Sequence, residues 1–307
     1  MSKKYINTYA GINCQNPSPD ENEWLSDLEA KSFEIELPNF KEHIQGVQLR
    51  RLSKILKMSL ACAQKCANSM ESGASQMAGI IMATGLGCLD DTRKFIVDSN
   101  NHESPSPTPF IHSTHNTIAG QLGLHMKCHG YNITHSNTGA CFENALLDAY
   151  LQQGDGWYLV GGIDEKLDWL EILQAQHPST SDLELGAGST FLAVSSIPSE
   201  IELENVATYF VADQNIEKVV VEFLESSSIS ASDVDVLLTN TGALDQEVVG
   251  TFSVELNYQN YCGAYLTNSG FGVELGIQKL RAGMNRVLVL NAIQKNQIGL
   301  TLLKHVQ

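Results

Sequence analysis

A short module occurs twice in this chain, and the repetition restricts the folds open to it. The first copy reads Ser136-Asn137-Thr138-Gly139, a helical stretch, Gly154, then the apolar run Trp157-Tyr158-Leu159-Val160. The second reads Thr267-Asn268-Ser269-Gly270, a helical stretch, Gly283, then Val287-Leu288-Val289-Leu290. In each copy a glutamate follows four residues after the first glycine, at Glu143 and Glu274. The glycines are fifteen residues apart in one copy and thirteen in the other. Two copies are too few for a solenoid. They suit a duplicated α/β fold whose halves pack on each other, with boundaries expected at 1–197 and 198–307.

The 307 residues are enough to bury a large core. A net charge of −16 argues against sequence-independent binding to nucleic acid or to an anionic membrane, both of which rest on basic surface. No apolar run reaches the roughly 18 residues of a membrane span, and no apolar signal core follows Met1–Asn7. The seven cysteines are scattered, as expected of reduced thiols in a cytoplasmic protein.

Alternation of apolar strands with helices argues α/β. Residues 47–68 carry an amphipathic helical stripe, and Ala78–Ala83 reads as a buried strand ending in a turn at Thr84-Gly85-Leu86-Gly87, with no helix opening there. Pro105, Pro107 and Pro109 mark 99–109 as a loop, with a helix following over about 116–124. Residues 140–153 form an apolar helix, 168–182 a polar connector, and 190–194 a strand. The second half offers strands over 201–211, 234–238, 286–291 and 299–303, and helices over 216–224 and 271–282.

Ser136 stands between a strand-like segment and a buried helix, where unpaired backbone N–H groups favour a nucleophile or an oxyanion. Serine is equally a preferred helix cap, and local sequence favours the cap. Cys141, inside the helix, reads as a small buried hydrophobe. The spacings His112/His115 and His125/His129 are metal-like, but with no ligand constellation around them no metal is expected. Asp164-Glu165 suits a solvated turn at a strand end.

The stretch Thr134-His135-Ser136-Asn137-Thr138-Gly139, the helix behind it, and Tyr158–Glu165 with its Gly161-Gly162 pair resemble the nucleophile segment of β-ketoacyl synthases of the thiolase fold. Ile80–Asp90, Ile118–Leu124 and Leu185–Ser189 resemble further family segments in the same order. The resemblance implies a five-layer αβαβα architecture, each half contributing one sheet, with helices 140–153 and 271–282 sandwiched between. It places Ser136 where the family has its reactive cysteine. It places Asn240 (Thr239 if the register slips by one) and Ala264 where the family has its two histidines. No histidine lies between positions 178 and 304, so no shift of register supplies one.

What the resemblance implies is therefore a non-catalytic, chain-length-factor type of subunit. Such proteins form a heterodimer with an active ketosynthase and shape the pocket that limits the growing acyl chain. Type II polyketide, aryl polyene or fatty-acid-like synthesis is the implied setting. By the same analogy the dimer edge involves residues about 110–135, with Phe110, Ile111, His112, His115 and Asn116 lining the pocket. Acyl carrier proteins are acidic, so a subunit of charge −16 is a poor docking surface for one, and contact through the partner is expected. No cofactor is implied. Two other readings stand beside this one: an acyltransferase or thioesterase with Ser136 as nucleophile, which needs a neighbouring base, and a homodimeric scaffold without a pocket.

Overall fold

Two neighbouring strands are buried along their whole length. Every residue of Trp157–Asp164 and of Gly188–Ser195 is buried, as expected where a sheet is covered on both faces. The computed structural model describes residues 2–19, 28, 33–44, 49–70, 76–101, 104, 106–176, 184–211, 215–241, 252, 255–294 and 296–306.

The strands are β1 (Lys4–Ile12), β2 (Met77–Ala83), β3 (Tyr131–His135), β4 (Trp157–Asp164), β5 (Gly188–Ser195), β6 (Ile201–Phe210), β7 (Val236–Thr239), β8 (Glu255–Asn257), β9 (Arg286–Gln294) and β10 (Gln297–His305). The helices are α1 (Lys54–Asn68), α2 (Leu89–Asn101), α3 (Pro107–His112), α4 (Thr117–Met126), α5 (Cys141–Leu151), α6 (Asp168–Ala175), α7 (Ile216–Ser226), α8 (Gln259–Cys262) and α9 (Ser269–Arg281).

The sheet runs β3-β2-β4-β5-β1-β6-β10-β9-β7-β8. Read outward from the central β1–β6 pair, one side is β1, β5, β4, β2, β3 and the other β6, β10, β9, β7, β8: the same order of strands, used twice. Pairing repeats as well. Counted in chain order, the second strand of each set (β2, β7) is parallel to the third and fourth, and the fifth (β5, β10) is antiparallel to the fourth and first. The two sets are not separate sheets, as expected from sequence, because Lys4–Ile6 pairs with Ile201–Leu203 and joins them.

Three apolar clusters place the layers. One packs α1 and α4 on the outer face of the first five strands. A second packs α7 on the outer face of the other five. The largest lies between the sets and holds α5 and α9. The result is αβαβα, as the resemblance implied. Small residues allow the close approach: a Cβ on Gly272 would come within 2.9 Å of Tyr258 and Val289.

Several expected boundaries shift. The first helix starts at Lys54, not 47, because Ser53 is extended at the N-cap; residues 45–48 lie outside the described set. A helix does open after Gly87: α2 starts at Leu89 with Asp90 and Asp91 in its first turn, where a negative charge meets the positive end of the helix dipole. The proline segment contains α3, with Pro107 in its first turn, the place where a missing N–H costs nothing. The polar connector contains α6.

Candidate functional site

β2 and β4 run parallel and end side by side, Ala83 against Gly162. The last residue of β4, Asp164, therefore meets the turn that follows β2. Its Oδ1 accepts from Thr84 Oγ1 (3.1 Å), Gly85 N (2.9 Å) and Leu86 N (3.1 Å). Its Oδ2 accepts from the backbone N and the Oγ1 of Thr267, both at 3.0 Å. Thr267 opens the second copy of the repeated module. One buried carboxylate thus holds three segments together. Burial pushes its pKa above the usual carboxylate range, while the five donors pull the other way. The solvated turn expected at Asp164 is not what forms; the side chain is 1% exposed.

On the other side of the central layer a chain of amides occupies the ends of β7 and β9. Asn240 donates through Nδ2 to Asn268 Oδ1 (2.9 Å) and Asn291 Oδ1 (2.8 Å), and accepts from Ala292 N (2.8 Å). Asn291 donates to Gly139 O (2.7 Å) and Glu143 Oε2 (2.9 Å). An amide has two N–H donors. Those of Asn240 are both committed inside the protein, so this side chain has none left for a substrate oxygen. Glu143 and Glu274, the glutamates of the repeat, are both buried. Each lies against a glycine of the opposite strand set, Glu143 on Gly299 and Glu274 on Gly11. Burial raises the pKa of both, that of Glu274 to about 8.

Between these networks a cleft of about 340 Å³ opens. Its apolar wall includes Leu86, Leu170, Leu185, Leu266 and Ile293, and Ala264 is part of it. Ala264 is held by an isolated bridge to Leu185, with its N–H donating to Glu184 O at 2.8 Å. A methyl group can neither donate nor accept a proton. Glu165 also lines the cleft. It is 8% exposed, and burial, reinforced by the charges of Asp90 and Asp91, pushes it up to about 7.

Ser136 follows β3 and is exposed. It does not cap α5: a 3-10 turn over Thr138–Ala140 intervenes, and Ala140 stands at the cap position with no side-chain bond. Its hydroxyl bonds to no described residue. Neighbouring His135 places Nε2 3.1 Å from Asp148 Oδ2. Cys141 is fully buried with its thiol pushed well above its ordinary pKa, chiefly by burial, as the sequence implied.

The five residues expected to line a pocket face different surroundings. Phe110 and Ile111 are 58% and 60% exposed, and Phe110 packs on Phe95 with ring centroids 5.0 Å apart. His112 is buried beside a second cavity. His115 lies over Gly87, whose φ of +62° and lack of Cβ let the ring approach. Asn116 accepts from Thr134 on β3 at 2.9 Å. The residues that sequence reasoning missed are Asp164, Asn268 and Asn291. The visible signal for Asn291 was an asparagine ending the apolar run 287–290.

A five-layer sandwich with a doubled strand order and a cleft at the strand ends defines the thiolase-like ketosynthase fold. The family model described as the beta-ketoacyl synthase N-terminal domain matches residues 22–169. Solved structures share the fold over nearly the whole chain. The ishigamide ketosynthase/chain length factor is 15% identical, covers 99% of this chain and 100% of its own, and has a TM-score of 0.80. A β-ketoacyl synthase from Burkholderia phymatum STM815 is 14% identical over 100% of both chains, with a TM-score of 0.73. A ketosynthase in complex with its chain length factor from Xenorhabdus doucetiae is 14% identical over 99% and 98%, with a TM-score of 0.72. No curated protein matches the sequence.

Proposed function

We propose that this chain is a non-catalytic ketosynthase-like subunit of the chain-length-factor type, working as a heterodimer with an active β-ketoacyl synthase in type II polyketide or aryl polyene synthesis. The observation that carries the reading is the state of the two positions where the resemblance puts histidines. Asn240 has spent both its donors on Asn268 and Asn291, and Ala264 offers only a methyl group. Decarboxylative condensation needs donors aimed where negative charge develops, and neither position supplies one. The solved structures that share the fold support the class of partner, since two of them are a ketosynthase with its chain length factor.

The partner face in this reading is the edge of the sheet at β3. Among the described residues β3 pairs only with β2, and an unpaired edge is a template for a second chain. Around it Ile111, Leu124 and Tyr131 are 60%, 76% and 41% exposed. The halves meet at 197/198, in the link between β5 and β6, and the complex works in the cytoplasm, with the acyl carrier docking on the partner. No described helix is long and apolar enough to cross a membrane.

Co-expression with a full-length ketosynthase tests the reading. A stable one-to-one complex is expected. Recovery of this chain only as a homodimer in the presence of the ketosynthase favours a scaffold instead, and labelling of Ser136 by a fluorophosphonate favours an acyl enzyme.

A further inference from the structure

A second cavity, of about 260 Å³, opens on the outer helical layer, with a wall distinct from that of the cleft at the strand ends. Three leucines, Leu52, Leu60 and Leu124, form its apolar wall, and Arg51, His112, Gln121 and His125 its polar one. Among the described residues no acidic side chain lines it, in a chain that carries 35 of them against 19 basic ones. Arg51 forms no ion pair or hydrogen bond with any described residue. His112 is 7% exposed, lines the cavity, and bonds through neither ring nitrogen to a described residue. Its ring nitrogens are thus open to a group bound in the cavity. His125 is fixed at the rim by Gln64, whose Oε1 lies 3.1 Å from its Nε2.

We propose that this cavity binds a small organic carboxylate with a short alkyl tail. The guanidinium of Arg51 takes the carboxylate in a forked pair, the geometry for which a planar five-donor cation is suited. His112 and the Gln121 amide supply further hydrogen bonds, and the three leucines cover the tail. Leu124, 76% exposed, forms the outer lip and is freed or covered according to how long the tail is. Leu124 also lies on the proposed partner face, but the inference does not rest on the proposed function, because it concerns binding to the isolated chain in a cavity whose wall is separate from the cleft.

Titration of the full-length chain with octanoate, followed by calorimetry and ligand-observed NMR, tests it. Saturable binding with a Kd near or below about 1 mM is expected. Affinity falls from octanoate to butanoate by roughly fourfold per methylene lost, until the cavity is no longer filled. Arg51→Gln weakens octanoate by about tenfold or more, and Leu124→Asp does the same by placing a like charge at the lip. Both side chains are exposed, so neither variant threatens folding. Octanol and inorganic phosphate, which each carry half of the recognised chemistry, bind at least about tenfold more weakly. The proposal is overturned by absence of saturable binding at 10 mM octanoate, by an unchanged Kd in Arg51→Gln, or by octanol or phosphate binding as tightly as octanoate.

Discussion

Asn240 donates to Asn291 across 2.8 Å, at the place where the ends of β7 and β9 meet the central helices. Because the second Nδ2 hydrogen reaches Asn268, both donors of the side chain are used, and its carbonyl accepts from Ala292. Asn240→Ala removes three hydrogen bonds, two of them to buried asparagines, and should lower stability by about 2–4 kcal/mol. Urea unfolding measures it. An unchanged midpoint would show that the network is incidental.

Glu274 sets a pH dependence of stability. Its pKa is about 8 in the folded chain and near 4.5 in an unfolded one. Between those values the native state holds a proton that the unfolded state has lost. Stability from this group is therefore complete below pH 4.5 and declines as pH rises towards 8. Glu274→Gln, an uncharged near-isostere, should unfold at a higher urea concentration than the parent at pH 8.5 and show a shallower slope between pH 5 and 8. Glu143, Asp164 and Glu165 are raised in the same direction, so a residual slope remains. A parent protein that gains stability from pH 5 to 8 would refute this account of Glu274.

Gly11 is the strand position that makes room for that carboxyl. A Cβ there would overlap the Glu274 carboxyl group. Gly11→Ala should cost about 1–3 kcal/mol through overpacking, and adding Glu274→Ala should restore part of the loss, a coupling expected only for residues in contact. Additive losses in the double variant would contradict the packing described.

The β3 face can be tested without disturbing the core. Ile111→Asp alters a side chain that is 60% exposed and should leave unfolding of the isolated chain within about 0.5 kcal/mol of the parent. In co-purification with a ketosynthase it should reduce the complex by about tenfold or more, since a charge is buried without a partner. Retention of the complex at parental yield would move the interface elsewhere.

The duplicated layout was legible because both modules carry the same polar tetrad, the same glutamate and an apolar strand in the same sequence of elements. β2, β4, β5 and β10 were legible as apolar runs, since strands buried on both faces lose the alternation of a half-solvated one. β1 was not, because Asn7 and Thr8 interrupt its apolar residues. α2 was hidden because it buries only Asp91 and so presents no apolar stripe. Asp164 looked like a solvated acid because its partners are distant in the chain; Thr267 lies 103 residues away. Asn240 was readable as a replaced histidine, but not as an amide with both donors used, for the same reason. Its partners are 28 and 51 residues off.

Release of carbon dioxide from malonyl-loaded acyl carrier protein tests the central claim most directly. The purified chain alone should give no more than the background rate, while the same chain with a full-length ketosynthase should support release and chain extension. Turnover by the isolated chain at an enzyme-like rate, about 1 s⁻¹ or faster, would contradict the assignment of a non-catalytic subunit.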